Sequence, residues 1–345
     1  MLAALSSVGL GVLAIAHHRA GASMNRALDE ALPGTNPSIG GSQRRTGSAF
    51  PRSWLALPWL AWWRAPGVER VPNIVYTTVG GRQLKLDVYR ATSRQEDCPV
   101  LVEIHGGGWI TGDRRLEARP LMARMAALGW VCVSVDYRVG RRATWPDHIV
   151  DVNTALAWVR EHVADYGGDP DFVAVTGGSA GGHLAALATL APDDSEYRPL
   201  SGVPAEIRAC VAFYGSSDFS NALGLRPAAE HRLLERFVVR VPSADAPATY
   251  ERGNPLLRVN EDAPPFLVIQ GSSDNLVFPA ESRGLVDRLR EVSHAPVAYA
   301  EIPRAQHAFD VFPSVRTAHV ISGVERFLAH VHSAHRDANT LSTAP

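Results

Sequence analysis

Within Val175–Leu190, VTGGSAGGHLAALATL, one serine is packed among four glycines before the chain turns into a run of Ala and Leu. Glycine-rich turns that open a helix serve two chemistries, cradling a phosphate or presenting a nucleophile. A Walker-type phosphate loop needs G-x-x-x-x-G-K-[ST], and no Lys follows these glycines. A dinucleotide turn needs G-x-G-x-x-G, which glycines at 177, 178, 181 and 182 do not provide. Gly177-Gly178-Ser179-Ala180-Gly181 does match G-x-S-x-G, directly after the β-rich run FVAVT and directly before the helical run HLAALATL. In that setting the turn is so sharp that side chains two residues either side of Ser179 collide, so both are glycine. The hydroxyl then projects from the strand end near the positive pole of the following helix. The chemistry indicated is nucleophilic attack by Ser179.

A serine hydroxyl needs a base, and the oxyanion that develops needs donors. His105-Gly106-Gly107-Gly108-Trp109 follows the strand-like run PVLVEI, and its glycines let backbone N–H groups approach a substrate oxygen. Gly106, Gly107, Gly108 and the Ala180 N–H are therefore the candidate oxyanion hole. Thirteen histidines compete for the base. His307, in RAQHAFD after the last strand-like run, stands where a base belongs. His319, His330 and His332 fall in the closing helix as solvent or packing residues, His183 as structural, and His105 as a shaper of its loop. The acid has two candidates because GSSD occurs twice, ending in Asp218 and in Asp274, each after an apolar run. Asp274 preserves the chain order Ser, Asp, His and is preferred; Asp218 opens a long insertion and is expected to cap or pin it. Trp109, Phe213, Tyr214 and Phe309 flank these motifs and suggest an apolar acyl pocket.

These residues need a scaffold that brings strand ends together. From about residue 70 the pattern is regular. NIVYTTVGGRQLKLDVYR reads as a hairpin turning at Gly80-Gly81, and six continuous apolar runs follow, near 100–105, 130–136, 172–177, 209–215, 265–271 and 296–302. Continuous rather than alternating hydrophobicity marks strands buried on both faces, as in a parallel sheet. Helical patterns alternate with them, for example Ile149, Val152, Leu156, Val159 and Val163 along one face. The fold class is α/β, a mostly parallel central sheet wrapped by helices. Residues 219–262 interrupt the rhythm and are too long for an ordinary loop. The polar stretch 334–345 reads as a disordered tail.

Composition sets the limits. With 345 residues, 46% hydrophobic, and 34 basic against 35 acidic side chains, the chain has no basic surplus for nucleic acid. Cys98, Cys132 and Cys210 each adjoin an apolar run and read as inert core thiols. The first 65 residues stand apart as an N-terminal segment. Met1–Ala16 is uncharged but short of the roughly 20 residues that span a bilayer, and Ser53–Trp63, SWLALPWLAWW, carries four Trp between Arg52 and Arg64. Contact with a membrane surface and rings packed on the catalytic domain both stay open. With them stays open whether the protein is cytoplasmic, membrane-associated or exported, and whether it forms a homodimer.

HGGGW, GGSAGG, Asp136-Tyr137-Arg138, a Gly-x-x-Asp after a strand and a late His together resemble the hormone-sensitive-lipase-type carboxylesterases of the α/β-hydrolase superfamily, in particular the bacterial feruloyl-esterase-like subgroup. The likeness covers roughly residues 70–332, with the catalytic domain drawn at 66–333; Gly178 stands where that family commonly has Asp. The resemblance implies the α/β-hydrolase fold with a helical cap, which residues 219–262 would supply. It also implies hydrolysis of short- to medium-chain acyl esters by Ser179, His307 and Asp274 through an acyl-enzyme, with no metal or organic cofactor and a small-molecule ester as partner. Arylformamidase, lactonase or sugar-ester deacetylase activity on the same machinery remains an alternative, as does a non-enzymatic binding protein of the same fold.

Overall fold

The computed structural model describes residues 19–32 and 66–342. Met1–Ala16 and the Trp-rich stretch Ser53–Trp63 lie outside the described residues. Eight strands form one sheet in the order β1-β2-β4-β3-β5-β6-β7-β8. β1 (Val68–Val79) and β2 (Arg82–Ala91) are an antiparallel hairpin, and β2 runs antiparallel to β4 (Val131–Val135). The remaining pairings, through β3 (Cys98–Ile104), β5 (Gly168–Gly178), β6 (Ile207–Phe213), β7 (Phe266–Gly271) and β8 (Val297–Ile302), are parallel. This is the mostly parallel α/β sheet expected from the apolar runs, in the α/β-hydrolase arrangement that the family resemblance implies.

Each central strand is buried on both faces, which is why its sequence is apolar throughout. Val100, Val102 and Ile104 of β3 point into one core and Leu101 into the other; Val131, Val133 and Val135 of β4 are separated from Cys132 in the same way. The first core is roofed by α3 (Asp147–His162), α4 (Ala180–Leu190) and α8 (Pro279–Val292). The second is roofed by α1 (residues 19–31), α2 (Arg119–Ala127) and α9 (Val315–Ser342). All three cysteines are buried and free.

Two boundaries differ from the sequence reading. Residues 19–31, assigned to a separate N-terminal segment, form a helix whose apolar stripe Ala20, Met24, Ala27 and Leu28 is buried with Val320, Val324 and Phe327 of α9. The 3.6-residue spacing of that stripe buries one face of α1, and Arg326 fastens its rim by donating to Asp29 at 2.7 Å. At the other end, α9 continues through residues 334–342 instead of dissolving into a disordered tail. No Gly or Pro interrupts the chain there, and helical-spacing bonds support it: Asn339 and His335 lie 3.0 Å apart, and Thr340 Oγ1 donates to the Arg336 carbonyl at 2.9 Å. Polarity marks a solvated helix here.

The insertion between β6 and β7 holds α5 (Ala228–Leu234), a π-helical turn (Glu235–Val239), α6 (Pro247–Arg252) and α7 (Pro255–Arg258). Its Leu234, Val238, Val239 and Tyr250 join the first core, and the Trp145 N–H donates to the Val238 carbonyl at 2.9 Å.

Candidate active site

Strand order places the site. β3 lies between β4 and β5, so the chain winds first to one side of β3 and then to the other, and the crevice opens at the carboxyl ends of these strands. The pairing Ile104↔Gly177 brings the ends of β3 and β5 side by side. The His105–Trp109 loop and the Ser179 turn therefore meet without any other element between them.

Ser179 has φ 56 and ψ −120, a strained conformation for a residue with a side chain, characteristic of a nucleophile elbow. Its N–H donates to the Phe213 carbonyl at 3.0 Å, and its own carbonyl accepts the first bond of α4 from His183 at 3.0 Å. Both flanking glycines are required by space. A Cβ on Gly177 would stand 2.5 Å from the Gly181 carbonyl carbon, and one on Gly181 would overlap the Ile104 carbonyl oxygen. Gly178, the departure from the family pattern, has its side-chain space filled by the Tyr214 ring, whose hydroxyl would lie 3.0 Å from an added Cβ.

His307, on the loop after β8, brings Nε2 to 2.9 Å from Ser179 Oγ and Nδ1 to 2.8 Å from Asp274 Oδ2. Asp274 is 4% exposed. Its Oδ1 accepts from the Leu276 and Val277 N–H groups at 2.9 and 3.0 Å, and Gln270 Nε2 donates to Oδ2 at 3.1 Å. Burial pushes this carboxyl up, but the bond to His307, the imidazole's charge and the two N–H donors outweigh it and hold the group below the ordinary carboxylate range. An ionised Asp274 keeps the imidazole proton on Nδ1, leaving Nε2 to accept from Ser179. Asp218 is elsewhere: its carboxylate accepts from the Ala222 and Leu223 N–H groups at 2.8 and 2.7 Å and from Asn254 at 2.9 Å, at the root of the insertion.

Among the candidate oxyanion donors, Gly107, Gly108 and Ala180 follow the carboxyl ends of β3 and β5, with Ala180 opening α4. Gly106 is removed from the set, because its N–H is already given to Glu117 Oε2 at 2.6 Å. The loop is further held by the Tyr137 hydroxyl, which donates to the His105 carbonyl at 2.9 Å while its ring stacks on His105 at 4.3 Å.

The aromatic residues expected to wall an acyl pocket are mostly committed to packing. The Trp109 indole N–H donates to His183 Nδ1 at 3.3 Å, and its ring meets Phe219 edge-on at 5.5 Å. Phe213 and Tyr214 are buried in the second core; Tyr214 donates its hydroxyl to Asp310 and lies 4.7 Å from the His307 ring. Phe309 packs edge-on against Tyr214 at 5.7 Å. Strand-end aromatics feed whichever core their strand faces, which sequence position alone does not reveal.

Nothing in the sequence marks Glu117 or Asp310. With Glu103 they line a cavity of about 10 Å³ directly behind the elbow. Burial pushes all three carboxyls above their ordinary range.

Elbow, strand order and the Ser–His–Asp line define an α/β-hydrolase, and comparison with known proteins narrows the class. The BD-FAE family profile matches residues 86–289, more than half of the chain. The chain belongs to the BD-FAE family. Among curated relatives, the probable carboxylic ester hydrolase LipM of Mycobacterium tuberculosis is 42% identical across 96% of this chain and 78% of its own length. The esterase LipQ of the same organism is 43% identical over 77% of this chain and 63% of its own length, so the chain spans less than two thirds of that relative. Among solved structures, a thermophilic esterase of Thermogutta terrifontis with propionate bound is 27% identical, superposes with a TM-score of 0.65, and matches 78% of this chain and 96% of that one.

Proposed function

We propose that Ser179 is the nucleophile of a serine carboxylesterase, with His307 as general base and Asp274 as its orienting acid. The observation that carries this is the unbroken line from Ser179 Oγ through His307 Nε2 at 2.9 Å and Nδ1 to Asp274 at 2.8 Å. The Ser179 proton passes to Nε2 as Oγ attacks the ester carbonyl. The resulting oxyanion is held by the N–H groups of Gly107, Gly108 and Ala180, and His307 returns the proton to the departing alcohol. Water, deprotonated by the same imidazole, then releases the acid from the acyl-enzyme.

The chain is a carboxylic ester hydrolase acting on small-molecule esters. Short acyl groups are supported by the structural relative from Thermogutta terrifontis, which is described with propionate and with butyrate bound. The helical insertion is read as a cap, since it springs from the carboxyl end of β6, at the same sheet edge as Ser179. The functional test uses 4-nitrophenyl butyrate and the Ser179→Ala protein. Turnover should drop by three or more orders of magnitude with the fold unchanged by circular dichroism, because only oxyanion and binding effects remain. Activity within tenfold of the parent would overturn the assignment.

A further inference from the structure

Beside the oxyanion loop lies a second cavity of about 380 Å³, lined by Ile110, Gly140, Arg141, Arg236, Phe237 and Arg240. The segments that form it all leave the carboxyl edge of the sheet: Ile110 after β3, Gly140 and Arg141 after β4, and the rest in the insertion after β6. That is the edge carrying Ser179, Asp274 and His307. Ile110 is two residues past Gly108, which limits their separation to about 7 Å along the chain, and its N–H donates back to the Gly107 carbonyl at 3.1 Å. The cavity therefore adjoins the place where a substrate carbonyl must sit.

Its charge is one-sided. Three guanidinium groups face it, and none has a carboxylate partner among the described residues. Arg240 donates to the Gly140 carbonyl at 3.1 Å, and Arg236 lies 5.4 Å over the Phe237 ring. Acids on the same segments are engaged elsewhere, Asp113 with Arg115 among them. Asp147 is held by Arg138 at 3.0 Å, and Glu235 accepts from the Ser243 N–H and hydroxyl at 2.8 Å each. All three arginines are exposed, so water screens their mutual repulsion, but together they present a one-signed rim whose guanidinium forks match carboxylate and phosphate oxygens well. Ile110 and Phe237, both about two fifths exposed (42% and 41%), give the cavity an apolar floor as well.

We propose that this cavity is an anion-binding subsite for the substrate. It takes a carboxylate or phosphate group borne a few bonds from the scissile ester, with an apolar stem against Ile110 and Phe237. The proposal rests on the ester-hydrolase reading and names the class of ester.

The test compares kcat/KM for two matched pairs at low and high ionic strength. Mono-(4-nitrophenyl) glutarate is set against 4-nitrophenyl pentanoate, and 4-butyryloxyphenyl phosphate against phenyl butyrate. At least one anionic ester should exceed its neutral parent tenfold or more, with the advantage shrinking in salt. In the Arg141→Gln, Arg236→Gln, Arg240→Gln protein that ratio should fall at least tenfold; being a ratio, it is insensitive to a general loss of activity. A parent protein that hydrolyses neutral esters but favours neither anionic one, or a ratio untouched by the triple substitution, overturns the subsite. So does an unchanged ratio accompanied by loss of co-sedimentation with phosphatidylglycerol vesicles, which would assign the arginines to a lipid surface. Inertness toward the neutral parents is a different result: it fails the ester-hydrolase reading itself and takes this proposal with it.

Discussion

The indole N–H of Trp109 donates to Nδ1 of His183 at 3.3 Å, and the Nε2 of the same imidazole bonds the Gly253 carbonyl at 2.8 Å. One fully buried ring thus joins the oxyanion loop, the helix behind the nucleophile and the inner end of the insertion. Only the neutral ring with its proton on Nε2 can make both bonds, since an Nδ1 proton would confront the indole donor.

That relationship makes stability depend on pH in a definite direction. Burial pulls His183 down to about 3, against the partial restoring effect of the Gly253 carbonyl. The unfolded chain takes up this proton near pH 6.5 and the folded one does not, so the contribution is complete above about 6.5 and is lost progressively as the pH falls toward 3. Urea midpoints at pH 7.5 and 5.0 should show a smaller loss on acidification in His183→Gln than in the parent protein. Equal losses would remove His183 from the account.

The duplicated Gly-Ser-Ser-Asp separates two roles cleanly. Asp274→Asn, which loses the carboxylate that fixes the His307 tautomer, should lower kcat by about 10⁴ without unfolding the protein. Asp218→Asn keeps the shape but weakens acceptance from two N–H groups, at a cost of about 1 kcal/mol in stability, with kcat little altered. Steady-state kinetics and thermal melts on the two proteins decide between them.

Glu117 accepts the Gly106 N–H and is expected to influence the reaction by holding that loop. Removing its carboxylate in Glu117→Ala leaves that buried donor unpaired and frees the loop to shift, so kcat should fall about tenfold to a hundredfold, less than for a donor that touches the oxyanion itself. Glu117→Gln retains an acceptor oxygen and should recover most of the loss. A loss confined to KM would indicate that the loop binds substrate without being held for the transition state.

Glu281 shifts the opposite way from His183. Its carboxyl is buried beside Arg226 at 3.8 Å and accepts from the Asp218 N–H at 3.3 Å. Burial is the larger effect and pushes it up to about 7. Between about pH 4.5 and 7 the folded protein holds a proton the unfolded chain has released, so stability from this group falls as pH rises through that window. Glu281→Gln should remove that falling contribution, so its chemical-denaturation midpoint should change more positively from pH 5 to 7 than the parent's does; an unchanged difference would contradict it.

The sheet was legible in the sequence because β3 to β8 are buried on both faces, and burial of that kind leaves continuous apolar runs. Ser179, Asp274 and His307 were legible because each combines a reactive side chain with a position just after a strand. Glu117 was not, since a carboxylate accepting one backbone N–H eleven residues away leaves no periodic trace in the polar run around it. Gly106 was counted as a free donor for the same reason. The stripe of α1 was hidden by its neighbours, an uncharged start and a Trp-rich stretch that drew residues 1–65 into a single block. The aromatic residues misled because Trp109 and Tyr214 carry polar handles, and those handles find His183 and Asp310 inside the protein.

Asn254 Nδ2 donates to Asp218 Oδ1 at 2.9 Å and to Ser220 Oγ at 2.7 Å, and the Leu256 N–H donates to the Ser217 carbonyl at 3.1 Å, so a small set of hydrogen bonds ties the start of the insertion to its later part. What lies between them is a closed excursion, hitched at its base and supported by a few apolar residues such as Val238 and Tyr250. Lengthening such an excursion costs only about 0.6 kcal/mol for each doubling, and its root stays on Asp218, outside the Asp274–His307–Ser179 line. Such excursions should therefore be exchangeable between homologues, provided the hitch residues and the Gly253 carbonyl that holds His183 are kept. Diversification of the ester accepted should concentrate there rather than at the sheet edge that carries Ser179, Asp274 and His307.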